Sequence, residues 1–381
     1  MSPGTCSVHA DTPPPEPESE NMQRIERHGV DEDRIAQALN DVQGRARSSF
    51  IGLSIGRSEL REMQTMGRDL YGHVAARSIE DPTLESDHAF VRKVLATAAE
   101  ASFGVLALSL FPYGDLDLPF PLLDDELNNV TPFGPGETTI FGHGDKVDLK
   151  PAPELWGEAF AMRVVSGLIR DRHRGLGISL RSDHAPYVHD EARYSRLDPA
   201  SLAQMDALCT YLTEDASWPL GPDETALCKP GPEERAQAAR KLDSVGELKP
   251  EQRLLRVLLE DDRSAFERAL VEHLTRHREL MEADENAPVA SLLPLEVIAL
   301  AALAVQVHGW RLNVDSDYLP QVLLHAPEVS ARPDTKPRRM SLSPVPSHDG
   351  DDTARWERTL SKGWGPSSRA QGTGGSEPES G

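Results

Sequence analysis

Large apolar residues return at intervals of three and four from Ile35 to Val307, a period that places them on one side of a helix and on both sides of a strand. Ile35, Leu39 and Val42 follow Asp31 and Asp33, either of which can cap a helix. Leu60, Met63, Leu70 and Val74 mark a second, longer helix. Ser86 or Asp87 can cap a third, with Phe90, Val94, Leu95, Ala98 and Phe103 on its inner side. Pro153 suits a first helical turn before Leu155, Ala159, Met162 and Ile169. Asp198-Pro199 opens a helix carrying Leu202, Met205, Leu208 and Leu212, and Pro232 opens a polar one through Lys241. Leu254, Val257 and Leu258 follow Pro250, and Phe266, Leu270 and Leu274 follow Asp262. Leu295–Val307 closes the set. Strand signals are scarce, and Trp310–Val314 is the best of them. The expectation is an all-α protein of antiparallel helical hairpins, for which a solenoid is one fitting arrangement, although no fixed repeat period emerges.

One stretch breaks the pattern. Ser109–Lys150 holds five prolines, five glycines and the aromatics Phe111, Tyr113, Phe120, Phe133 and Phe141. A long irregular segment inside a compact domain is uncommon and often functional. Two readings stand. Its aromatics cover the helices, or they meet a partner, because aromatics dominate interface hot spots. The residues before Met22 and after Ala326 are rich in Pro, Ser, Glu or Gly and cannot repay the entropy of ordering. The expected organisation is therefore a disordered extension over residues 1–21, a helical domain over 22–326 and a disordered tail over 327–381. Met22 is a candidate start, and Trp356, Leu360 and Trp364 lie at helical spacing inside the tail.

Charge narrows the choice of partner. The formal net charge is −22; residues 1–22 hold four acidic and no basic residues and residues 327–381 hold eight of each, so the part expected to fold carries −18. Such a body repels nucleic acid and anionic lipid and attracts basic proteins. The acid is concentrated at Asp115/Asp117, Asp124-Asp125-Glu126, Glu260-Asp261-Asp262, Glu282/Asp284/Glu285 and Asp315/Asp317. The most apolar run, Leu292–Val307, is short for a membrane span and carries Glu296. No basic-then-apolar leader opens the chain, and Cys6, Cys209 and Cys228 make no disulfide framework, so the cytoplasm is the expected compartment.

Catalytic patterns are weak. His273 and His277 have metal-ligand spacing on a helix, but Leu274 stands where a zinc protease needs Glu, and partly buried helix histidines are the simpler reading. Asp183, His184, His189, Asp190 and Glu191 form the densest polar cluster, and Pro186 and Tyr187 suggest a loop; a metal hydrolase could use such residues. His143 between Gly142 and Gly144 reads as a turn residue. Gly134-Pro135-Gly136 lacks the Lys and Ser/Thr of a phosphate loop, and no G-x-S-x-G elbow is present. No catalytic residue, cofactor or metal site is expected. The candidate partner-contacting residues are Asp115, Asp117, Phe120, Asp124, Asp125, Glu126, Phe133, Asp183, Asp190 and Glu191.

Four segments also form a familiar set. Ile25–Leu39 (IERHGVDEDRIAQAL), His73–Ser86 (HVAARSIEDPTLES), Leu295–Ala304 (LEVIALAALA) and Val314–Leu324 (VDSDYLPQVLL) resemble the immunity protein 49 family, bacterial proteins encoded beside polymorphic toxins. The resemblance runs from about Met22 to Pro327 and is faintest over Ser109–Glu234. It implies an all-helical protein that neutralises a cognate toxin by binding it, with no enzymatic step and no functional residues to carry over. Many such toxins are nucleases with basic faces, so the acidic body fits a plug over a cationic active site. Two alternatives are a helical scaffold with a different partner and a metal hydrolase built on residues 183–191.

Overall fold

Helix starts follow local chemistry. The computed structural model describes residues 24–54, 60–111, 116–123, 139–141, 149–170, 177, 179–192, 197–213 and 226–325. Asp31 caps α1 (Glu32–Leu39) by accepting from the Arg34 amide at 3.1 Å. Val42 does not continue that helix. Asp41 takes a positive φ of 37° and accepts from the Gly44 amide at 3.0 Å, so its side chain ends one helix and starts α2 (Val42–Ser54). α3 (Leu60–Glu80) and α4 (His88–Leu110) form the central hairpin. In the turn between them Asp81 gathers Thr83 and Ser86, and these hydrogen bonds hold its carboxyl well below the usual carboxylate range. Ser86 is thus committed to Asp81, and Asp87 takes the N-cap position of α4 without a side-chain capping bond.

The aromatic stretch is less irregular than its composition suggests. β1 (Leu116–Leu118) pairs antiparallel with β2 (Thr139–Phe141), Leu116 opposite Phe141 and Leu118 opposite Thr139. This ribbon lies on α4, where Gly104 makes room for it: a Cβ there would come 2.5 Å from Leu118 Cδ1. Phe120 is 2% exposed and meets Phe50 edge-on at 5.6 Å, so its ring serves the core and offers no surface to a partner. Asp117 is the middle residue of β1. Asp115, Asp124, Asp125, Glu126 and Phe133 lie outside the described residues, as do His143 and the Gly134–Gly136 segment.

α5 (Pro153–Ser166) ends at Gly167, whose φ of 82° is the left-handed stop that glycine makes cheaply, and Ile169 falls in the 3₁₀ turn Leu168–Arg170 beyond it. A π-helical turn, Ser179–His184, runs into α6 (Ala185–Ala192). Residues 183–191 are therefore helical rather than a loop. Pro186 is accommodated because it falls in the first turn of α6, where its missing N–H breaks no helical bond. α7 (Pro199–Cys209) is capped by Asp198, α8 (Pro232–Ser244) and α9 (Pro250–Leu258) open on proline, and Asp262 caps α10 (Arg263–Glu282) through the Ala265 amide at 3.0 Å. A 3₁₀ turn (Val289–Leu292), α11 (Leu295–Gln306) and the short α12 (Gln321–Leu324) complete the chain.

Trp310–Val314 forms no strand. Trp310 packs instead on Phe266 and His308, and the nearby parallel bridge joins Ile25 to Ser316. Sequence neighbours pair as hairpins, yet α11 packs against α5 and the 3₁₀ turn Val289–Leu292 against α3. These remote contacts close one contiguous core, which a nearest-neighbour solenoid would not. Among the described residues two segments, His88–Leu110 and Val289–Gln306, are long and apolar enough to cross a membrane, but 83% and 61% of an 18-residue apolar stretch in each is buried within the protein. Both act as core helices here, and the second is interrupted at Pro294. The core also encloses charge: Arg163 on α5 and Glu100 on α4 approach to 3.6 Å at 0% and 1% exposure, with the guanidinium 4.0 Å above the Phe103 ring.

Candidate interaction surface

An open cleft of about 870 Å³ is bounded by α1, α3, α5, the 3₁₀ turn Val289–Leu292 and the start of α11. Val289, Ala290, Pro294 and Leu295 supply apolar, partly exposed floor. Its arginines are committed locally. Arg45 pairs with Asp69 at 2.8 Å, Arg68 with Glu158 at 2.7 Å, and Arg34 donates to the Ala287 carbonyl at 2.8 Å. Glu154, Glu251 and Glu296 gather at the end formed by α5, α9 and α11, where the cleft meets a smaller pocket beside Ser201 and Lys249. Glu296 accepts from Gln204 Nε2 at 3.2 Å, Gln204 accepts from buried Gln252 at 3.1 Å, and Gln252 accepts from the Lys249 amide at 2.9 Å. That chain of amides orients one carboxylate at the rim. Glu296 remains solvent-accessible, but protein crowding first, and then the like charge of Glu251, push its pKa up.

Among the described residues two arrangements have the look of catalytic relays, and in the first the direction of the hydrogen bonds argues otherwise. His28 Nε2 lies 2.9 Å from Ser291 Oγ, and His28 Nδ1 lies 2.8 Å from the Tyr318 hydroxyl. Ser291 Oγ already donates to the Pro288 carbonyl at 2.5 Å, so it must accept from Nε2–H. Nδ1 then accepts from Tyr318, whose oxygen accepts from the His28 amide at 2.9 Å. A histidine protonated on the serine side cannot serve as that serine's base. Burial and neighbouring His277 lower the His28 pKa to about 4, which keeps the ring neutral. The arrangement is a latch tying the N-terminal segment to the end of the fold. Tyr318→Phe leaves His28 Nδ1 and the His28 amide without partners and should cost about 1–3 kcal/mol in urea unfolding; a loss under about 0.5 kcal/mol would show that the latch holds nothing.

The second arrangement is Asp261, His308 and Tyr211, with His308 Nδ1 2.7 Å from Asp261 Oδ1 and Nε2 3.0 Å from the Tyr211 hydroxyl. Asp261 also takes Lys229 at 2.7 Å and Arg235 at 3.0 Å while holding a φ of 62°. Tyr211 is wholly buried, and burial pushes its hydroxyl far above the ordinary phenol range. The cluster ties α7, α8, α10 and α11 together at one corner.

The sequence-predicted polar cluster is dispersed. His184 is buried with Nδ1–H on the Ser179 carbonyl at 2.9 Å, Asp183 is exposed, and His189 turns to Asp206 at 2.5 Å. Asp190 is half-buried on α6, and Glu191 follows it in the same helix. His277 Nε2 contacts the Ser291 carbonyl at 2.8 Å, and His273 lies 4.0 Å from Glu251, so this pair serves packing and local hydrogen bonding. Among the described residues no group of three or more His, Cys, Asp and Glu is placed to hold a metal ion. The groove carboxylates escaped sequence reading. Glu154, Glu251 and Glu296 each stand in an isolated helical turn, and only Glu296 had drawn notice, as the charge in an apolar run.

The sequence model of the family described as Immunity protein 49 matches residues 81–323. The chain belongs to the immunity protein 49 family. Neither comparison with curated proteins nor comparison with solved structures gives a match. The match begins at the turn after α3, so α1, α2 and α3 lie outside it, as does the segment Ile25–Leu39 that resembles the family in sequence. The structure joins that outlying part to the matched part of this immunity protein. Arg27 donates to the Leu292 carbonyl at 3.3 Å, Ile25 bridges Ser316, and His28 is latched to Tyr318.

Proposed function

We propose that this member of the immunity protein 49 family neutralises a cognate polymorphic toxin by binding it stoichiometrically in the cytoplasm of the producing cell, covering a basic active-site face and excluding the toxin's substrate. Family membership over residues 81–323 carries the binding role. The charge of −18 on residues 23–326 supports the sign of the partner, because an acidic body gains encounter rate only with a basic one. The inhibitor needs no chemistry of its own in this scheme. Co-expression with the product of the neighbouring toxin gene, followed by pull-down, is the test. A stable complex and a protected host support the reading; a toxin that stays free and active overturns it.

Steering has its own signature. Asp284 and Glu285 are exposed at the end of α10. Asp284→Lys/Glu285→Lys should slow association several-fold at low ionic strength and flatten its dependence on salt. Stopped-flow rates that do not change with salt in the unaltered protein would remove electrostatic steering from the account even where binding persists.

A further inference from the structure

We propose that the cleft end formed by α5, α9 and α11 is the docking point for a basic segment of the toxin, which directs a Lys or Arg side chain at Glu154, Glu251 and Glu296 and lays apolar neighbours on the floor beside Pro294 and Leu295. The inference rests on the toxin-binding reading above and adds to it a place and a partner chemistry.

Three observations carry it. The site is concave and its floor is apolar and partly exposed, so a partner can bury hydrophobic surface there. Its charge is only partly compensated from within: Arg34, Arg45 and Arg68 are engaged elsewhere, Lys249 eases the charge of Glu296 from the rim while leaning toward Asp198 at 3.8 Å, and no Lys or Arg among the described residues lies within 4.0 Å of Glu154, Glu251 or Glu296. His273, 4.0 Å from Glu251, is held toward its neutral form, first by burial. The Gln204–Gln252 relay also fixes Glu296 before any partner arrives, which lowers the ordering cost of binding. An incoming ammonium or guanidinium would relieve the repulsion between Glu251 and Glu296 and gain charge-assisted hydrogen bonds. A phosphate-bearing ligand would meet that repulsion unrelieved, so the geometry favours a cationic protein segment.

The test compares two charge-matched double reversals in the full chain. Glu251→Lys/Glu296→Lys changes the cleft; Glu85→Lys/Glu233→Lys makes the same charge change at exposed positions that do not line it. Binding to the co-expressed, catalytically inactivated toxin is followed by surface plasmon resonance. The cleft pair should weaken Kd by about 30-fold or more, mainly through faster dissociation, while the distant pair changes it by less than about fivefold, through association. Glu296→Gln, which keeps the contact with Gln204 and loses only charge, should weaken Kd by about five- to tenfold and guards against misfolding of the double variant. Equal effects of the two pairs on dissociation overturn the site while leaving toxin binding intact. A change in the oligomeric state of the protein alone on altering the cleft would assign the cleft to a second copy and also overturn it. Failure of the unaltered protein to bind the toxin at all would instead sink the toxin-binding reading.

Discussion

Glu100→Leu will destabilise the protein by about 3–5 kcal/mol, and adding Arg163→Met will recover most of that loss. Glu100 and Arg163 sit on the two helices that line the centre of the core, 1% and 0% exposed and 3.6 Å apart. Removing one partner takes the nearest opposite charge of this pair away from the other in a medium that solvates ions poorly. Removing both replaces an ion pair by apolar volume of similar size, and the desolvation cost of both ions disappears with them. The guanidinium also stacks at 4.0 Å over Phe103, so the double variant loses a cation–π contact and is not expected to exceed the unaltered protein by much. Urea unfolding of the four members of this double-mutant cycle measures the coupling. Additive losses, with the double variant the least stable, would show that the pair is not the unit of stability.

Acidification should remove a second large share. His184 lies in the core between Phe103 and Phe111, with Nδ1–H on the Ser179 carbonyl. Burial is the main cause that lowers its pKa to about 4, the Ser179 carbonyl works against it, and the positive charge of Arg163 adds to it. The unfolded chain therefore takes up a proton near the ordinary histidine pKa while the native protein does not. Stability from this group is full above about pH 6.5 and is lost as pH falls through that value toward 4, with a total on the order of 3 kcal/mol. His28, lowered to about 4 as well, acts in the same direction. Urea midpoints at pH 7 and 4.5 test this. His184→Leu should reduce the difference between them whatever it does to stability at neutral pH. An unchanged difference would falsify the assignment to His184.

In the sequence His184 reads only as a member of a polar cluster and a metal-ligand candidate. Glu100 and Arg163 drew no notice, because a lone charge in a helix is most often solvated. Their burial follows from where α4 and α5 meet, which no local pattern states. Phe120 shows the same limit from the other side. An aromatic in a Pro/Gly-rich stretch fits a cover and an interface equally well, and only its contact with Phe50 at 5.6 Å decides for the cover.

What could be read from the chain was local. Asp31, Asp198 and Asp262 cap helices because a carboxylate can reach an amide two or three residues on, and Pro153, Pro199, Pro232 and Pro250 open helices because proline fits only the first turn. Apolar spacing then identified the inner face of α4, α9 and α10. The break at Asp41 was missed, since a left-handed aspartate that caps the next helix interrupts the apolar period without changing it.

By itself, then, the sequence determined an all-helical body, the places where most helices begin and a strongly anionic surface, because these depend on neighbours a few residues apart and on simple sums of charge. Tertiary structure alone decided the latch between His28 and Tyr318, the buried pair of Glu100 and Arg163, and the cleft that brings Glu154, Glu251 and Glu296 together. Each of these joins residues from remote segments, and what such residues do depends on the solvent and partners the fold leaves them.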